Sequence, residues 1–134
     1  MASSSAPAAP RAELAAQERA GGHLLTRHVG LTEEQLARRL EAEPGISAAS
    51  SFPNREVAEA AVAAALKANQ DRIESWLRGS GERLVLSYRS GEPVGITLAR
   101  GAAHAVPASS VRVVLVRDSM LPAGYRVLTG YPAP

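Results

Sequence analysis

Apolar positions follow two different periods along this chain, and the change between them divides it near residue 80. Before that point they recur at helical spacing; after it they alternate. From Arg11 to about Arg27 the pattern is helix-compatible, with Gly21-Gly22 as a weak point. It reads either as one helix tolerating the glycines or as a linker helix followed by a second one from His23. The second reading is preferred, because Leu24, Leu25 and His28 then share a face, and Gly30 suits the position just past a helix end. Thr32-Glu33-Glu34-Gln35 has the form of a capping box and opens the next helix. Its apolar stripe is Leu36 and Leu40. Arg39 lies about 80° from the centre of that stripe and Arg38 opposite it, so Arg39 borders the core while Arg38 points to water. Pro44-Gly45 ends the helix, and Ile46–Phe52 reads as a short extended segment. Asn54 caps the longest predicted helix, Arg55 to about Arg78, along which Val62, Leu66, Ile73, Trp76 and Leu77 recur; Trp76 is read as a core anchor.

Past Gly79-Ser80-Gly81 the alternation begins. Leu84, Leu86 and Tyr88, a turn at Ser90–Pro93, then Val94, Ile96 and Leu98 predict a hairpin. A small-residue loop spans 101–110. Val111–Arg117 is apolar on both faces and is expected at the sheet centre. A loop at Asp118–Gly124 leads into the last strand, Tyr125–Tyr131, which Pro132 is expected to stop. The expected class is α+β: N-terminal helices packed on one side of a four-stranded antiparallel sheet. Residues 1–20 are expected to be a flexible linker or helix and residues 21–134 the folded domain.

Composition narrows the options. With 134 residues and no cysteine, the chain is sized for one domain that owes nothing to disulfides or thiolate metal sites. No apolar run approaches a membrane span, and the start, MASSSAPAAPRAE, lacks the form of a secretory signal. Residues 1–76 carry eight basic and ten acidic side chains, whereas residues 77–134 carry seven arginines and three acids. That asymmetry permits a polyanionic partner and is equally consistent with a solvated basic surface.

The chemistry-bearing residues sit at the two ends. His28 could move protons near neutral pH, yet its place beside Leu24 and Leu25 is also that of a core histidine satisfied by the protein. His23 is about 140° round the helix from it. His104 falls in the small-residue loop and is expected to be solvent-exposed. Strict alternation would put Tyr125, Val127, Thr129 and Tyr131 on one strand face, with Thr129 and Tyr131 about 7 Å apart. That pair could donate hydrogen bonds to one phosphate, or be polar tips satisfied at a sheet edge. Arg39 would ordinarily be a surface ion-pair partner. Scattered histidines without an HExxH pattern argue against a catalytic metal, and no phosphate-binding glycine loop is present.

The order GGHxxxxHVGxTxExLxxRL, then ISAASSF, a helix ending in Trp, and VRVVLxRD…GYxVLTxYP resembles the bacterial ribonuclease A-like toxin domain of contact-dependent growth inhibition and other polymorphic toxin proteins, over about Gly21 to Pro132. The resemblance implies a ribonuclease A-like fold without disulfides and RNA cleavage needing neither metal nor cofactor. It also implies a cognate immunity protein and a larger carrier or secretion machinery that delivers the domain into the cytoplasm of a competing cell. We expect a monomer. The family's functional set falls on His28, Arg39, Thr129 and Tyr131; His23 matches a frequent family histidine with no assigned role. Gly130 stands where the family pattern would place alanine.

In the mechanism so implied, the RNA 2′-hydroxyl attacks the adjacent phosphorus to give a 2′,3′-cyclic phosphate. His28 is the general base and Arg39 holds the non-bridging oxygens. Thr129 and Tyr131 contact phosphate or base. The alternative is a non-catalytic RNA- or protein-binding module of the same fold.

Overall fold

The computed structural model describes residues 24–134, so His23 and the linker expected over residues 1–20 lie outside the described residues. In chain order the elements are α1 (Leu24–His28), α2 (Glu33–Ala42), β1 (Ala48–Ser51), α3 (Arg55–Ala68), α4 (Gln70–Arg78), β2 (Arg83–Arg89), β3 (Gly95–Ala99), β4 (Val106–Ala108), β5 (Ser110–Arg117) and β6 (Tyr125–Ala133).

Local chemistry sets most of the helix ends. The capping box forms: Thr32 Oγ1 accepts from the Gln35 amide at 3.1 Å and Gln35 Oε1 from the Thr32 amide at 2.8 Å. Asn54 Oδ1 accepts from the Val57 amide and caps α3. The helix expected to run unbroken from Arg55 to Arg78 is two helices. Asn69 interrupts it by donating its side-chain amide to the Ala65 carbonyl at 2.8 Å, competing with the helix's own ladder. At the end of α2 the Arg100 guanidinium donates to the carbonyls of Leu40, Glu43 and Ile46, tying the orphan C-terminal acceptors to the sheet.

The strands form two three-stranded sheets, β1-β3-β4 and β2-β5-β6, rather than one of four. The class is α+β as expected, but the pairing differs in one respect: β2 and β3 are no hairpin. β2 pairs with β5 and β3 pairs with β1 and β4, all antiparallel. Between them the chain crosses from one sheet to the other, held by the Ser90 and Val94 amides on the Ser109 and Ala108 carbonyls. Gly95 makes the crossing feasible, because a Cβ there would run into the Ser51 carbonyl oxygen and, at 2.5 Å, the Pro132 ring. Ile46–Phe52 contributes β1, and the loop over 101–110 contains the short β4. β5 is central in its sheet, as expected, but only one face is buried, through Val111, Val113 and Leu115, while the other carries the exposed Arg112. β6 runs through Pro132 to Ala133, since an edge strand tolerates a missing amide donor.

Two apolar clusters result. The larger joins Leu24, Phe52, Val62, Ile73 and Trp76 to the inner face of β2-β5-β6; the smaller joins Leu36 and Leu40 to Ala49 and Leu98. Trp76 is a core anchor, its indole donating to the Gly81 carbonyl at 3.1 Å with the Arg117 guanidinium 5.0 Å from the ring.

One irregularity positions the site. Leu115 pairs with Val127 and Val114 with Thr129, so Leu128 is an extra residue in β6. This bulge breaks strict alternation. Val127 faces the core with Leu115, whereas Thr129 and Tyr131 pair with Val114 and Arg112 on the opposite face. The single face expected for Val127, Thr129 and Tyr131 is therefore divided.

Candidate active site

The end of α1 is pinned before any site chemistry is considered. The Phe52 amide donates to the His28 carbonyl at 2.7 Å and the Gly30 amide to the Phe52 carbonyl at 2.8 Å, joining helix end to β1. Gly30 turns the chain there with a φ of 74°. Leu24 is buried one turn before His28 and packs on Gly130 of β6, where a Cβ would come within 2.8 Å of Leu24 Cδ1. The missing side chain at Gly130 thus lets α1 sit against β6.

His28 is both a satisfied core residue and a cleft residue. It is only 7% exposed, and its Nδ1 lies 3.3 Å from the Ser50 carbonyl oxygen. A carbonyl only accepts, so Nδ1 carries the proton and Nε2 keeps a free lone pair. Burial lowers the imidazole pKa from 6.5 to about 4; the Ser50 hydrogen bond opposes the shift, Arg39 and Arg27 add to it, and Glu43 weakly opposes it. The ring is neutral at pH 7.

A cleft of about 680 Å³ opens beside this ring. Its walls hold all four residues of the expected set with described positions: His28 from α1, Arg39 from α2, Thr129 and Tyr131 from β6. The Tyr131 ring centroid is 5.4 Å from that of His28. Arg39 is partly buried while Arg38 is exposed, as the helix geometry requires. Its Nε donates to Glu43 Oε2 at 2.9 Å, which uses one of five donors and holds the guanidinium in place. Arg39 in return keeps the Glu43 carboxyl below its ordinary pKa. Thr129 Oγ1 is shielded from solvent and makes no hydrogen bond.

Sequence reasoning missed several cleft residues. Arg27 and Arg112 also line it, with Ser50 and Thr97 from the other sheet, and no Asp or Glu is among the lining residues. Arg27 is adjacent to His28 and could have been suspected. Arg112 is opposite Tyr131 across β5-β6, a relation visible only once the register is known. His104 is exposed, as expected, and near Glu33, away from the cleft lining. Among the described residues no group of three or more His, Cys, Asp or Glu could hold a metal ion.

The fold is a disulfide-free α+β one of the ribonuclease A-like class. The family model described as bacterial CdiA-CT RNAse A domain matches residues 22–132, and the chain belongs to that family. Among solved structures it is similar to the CdiA-CT/CdiI complex from Y. kristensenii, with 40% sequence identity, 84% of this chain and 100% of that chain covered, and a TM-score of 0.79. A comparison with curated proteins gives no match.

Proposed function

We propose that this domain is a toxin endoribonuclease that cleaves RNA by attack of the 2′-hydroxyl on the adjacent phosphorus. The observation that carries the reading is a neutral imidazole with a free Nε2 in a cleft holding three arginines and no acid. His28 Nε2 takes the 2′-hydroxyl proton as O2′ bonds to phosphorus, and the bond to the 5′-oxygen breaks. That oxygen leaves as an alkoxide and takes a proton from water, and the hydroxide so formed takes the proton from the His28 imidazolium and restores the base. The products are a 2′,3′-cyclic phosphate and a free 5′-hydroxyl.

Arg39 supplies its remaining donors to the non-bridging oxygens, where negative charge grows in the transition state. The Thr129 hydroxyl gains a partner only when substrate arrives, which offsets the roughly 1–3 kcal/mol cost of leaving it unpaired. Tyr131 supports the His28 ring and offers its phenol to the phosphate. None of these roles calls for a metal ion. Because the nucleophile is the 2′-hydroxyl, DNA is not a substrate.

Family membership and the similarity to a CdiA-CT/CdiI complex support the biological setting. The domain is delivered by a larger carrier, acts in the cytoplasm of a competing cell, and is neutralised by a cognate immunity protein. No described helix is long and apolar enough to cross a membrane.

The test is incubation of purified protein with RNA in EDTA, with mass spectrometry of the product ends. Cyclic phosphate from the native protein, formed at least about 10²-fold more slowly by His28→Ala, is the expected result. RNA bound but uncut would leave a binding module instead.

A further inference from the structure

The bulge that turns Thr129 and Tyr131 outward also aligns them with the outward residues of the whole β2-β5-β6 sheet. Ser87, Arg112 and Tyr131 form one row across the three strands, and Val85, Val114 and Thr129 form the next. Arg83 and Arg89 sit two residues beyond those rows at either end of β2. The sheet face is therefore continuous with the cleft through Arg112, which belongs to both.

Three properties distinguish this face. No acid occupies an outward position in any of its strands. Arg83, Arg89 and Arg112 are exposed and make no side-chain hydrogen bond or ion pair among the described residues, unlike Arg126, which is paired with Asp118. Between the two arginines of β2 lies Val85, an apolar side chain left 49% exposed. Unpaired guanidiniums around an apolar spot suit a phosphate backbone whose bases need somewhere to rest.

We propose that Arg83 and Arg89, with Val85 between them, form a secondary binding track for single-stranded RNA that leaves the cleft across Arg112. Ser87 lies two strands from Tyr131, about 10 Å away, so the track holds nucleotides beside the one being cut. This proposal rests on the ribonuclease reading, yet it concerns binding by residues outside the cleft.

The experiment compares native protein with Arg83→Gln/Arg89→Gln on a dinucleotide, a ribo-oligonucleotide about ten residues long, and the all-2′-deoxy version of that oligonucleotide. Circular dichroism verifies that the variant is folded. The expected result is unchanged dinucleotide cleavage, KM for the long RNA raised about tenfold with kcat kept, and a log–log salt slope shallower by about one to one and a half for two lost single-strand phosphate contacts. The uncleavable deoxy strand should show the same loss of affinity, so the track remains testable if no RNA is cut. Equal binding of the long strands by both proteins would overturn the proposal. So would an equal loss on dinucleotide and oligonucleotide.

Discussion

The rings of His28 and Tyr131 lie 5.4 Å apart with their planes tilted by 42°, which joins the first described helix to the last strand. The contact lets Tyr131 act in two ways, as a wall against the imidazole and as a hydroxyl in the cleft. Tyr131→Phe keeps the wall and removes the hydroxyl. We expect it to fold with native stability and to lose about tenfold or more in kcat, the scale of one lost transition-state hydrogen bond. Tyr131→Ala should lose stability too, by about 0.5–1.5 kcal/mol beyond its area term. Thermal melts beside single-turnover rates separate the two effects.

Removing the base should be more severe. His28→Ala should lower kcat by about 10²–10⁴-fold with RNA binding largely kept. Near-native turnover in this variant would remove His28 from the mechanism.

The same residue sets a pH dependence. A general base works unprotonated, so kcat/KM should rise with pH through about 4 and then level. Bound phosphate offsets the repulsion from Arg39 and Arg27, so the inflection in kcat should lie at higher pH than that in kcat/KM. Stability follows from the same proton. The folded pKa is below the unfolded 6.5, so between 6.5 and 4 the unfolded chain binds more protons, and stability falls as pH falls across that window. The full contribution is about 3 kcal/mol. Denaturant titrations of His28→Gln should lack this component of the slope.

Glu43 is expected to orient Arg39 rather than touch substrate. Glu43→Gln should raise KM a few-fold and leave kcat within about twofold, the scale of an exposed ion pair. Arg39→Lys should do far more damage, because an ammonium cannot present the planar fork that grips two phosphate oxygens. Steady-state kinetics on one short RNA distinguishes these.

The crossing between sheets supplies a purely structural prediction. Gly95→Ala places a methyl against the Ser51 carbonyl and the Pro132 ring, so the backbone of two sheets must move. We expect about 1–3 kcal/mol of destabilisation, measurable by chemical denaturation. Some loss of activity should accompany it, since β1 also carries the Ser50 carbonyl that fixes the His28 tautomer.

How far the sequence could be read depended on the range of the interactions involved. Caps and helical faces are local, so the Thr32 box, the placing of Arg39 against Arg38, and the turn at Gly30 were all legible. The α+β class followed from the change of period. Strand partners were not legible, because β2 and β3 look like a hairpin until Gly95 is seen to cross a carbonyl and a proline ring. Asn69 looked like one more residue in a long helix, since its competing bond uses a carbonyl that any helix offers. At the site, His28, Arg39, Thr129 and Tyr131 were named through family resemblance, and Arg112 was missed because only the β5-β6 register brings it opposite Tyr131.

The extra residue at Leu128 has a consequence for how β6 tolerates change. On one side of it, Val127 must stay apolar; on the other, Gly130 and Pro132 take over that inward duty while Thr129 and Tyr131 serve the cleft. The strand thus has two reading frames joined at a single position. Deleting Leu128 would make Val127 and Thr129 neighbours on opposite faces, as regular alternation requires, so the inward and outward sets would keep their sides and only the bulge would be lost. Identity on each face is therefore the constraint on the distal half of β6, while the extra residue adds local bend and twist where the strand enters the cleft.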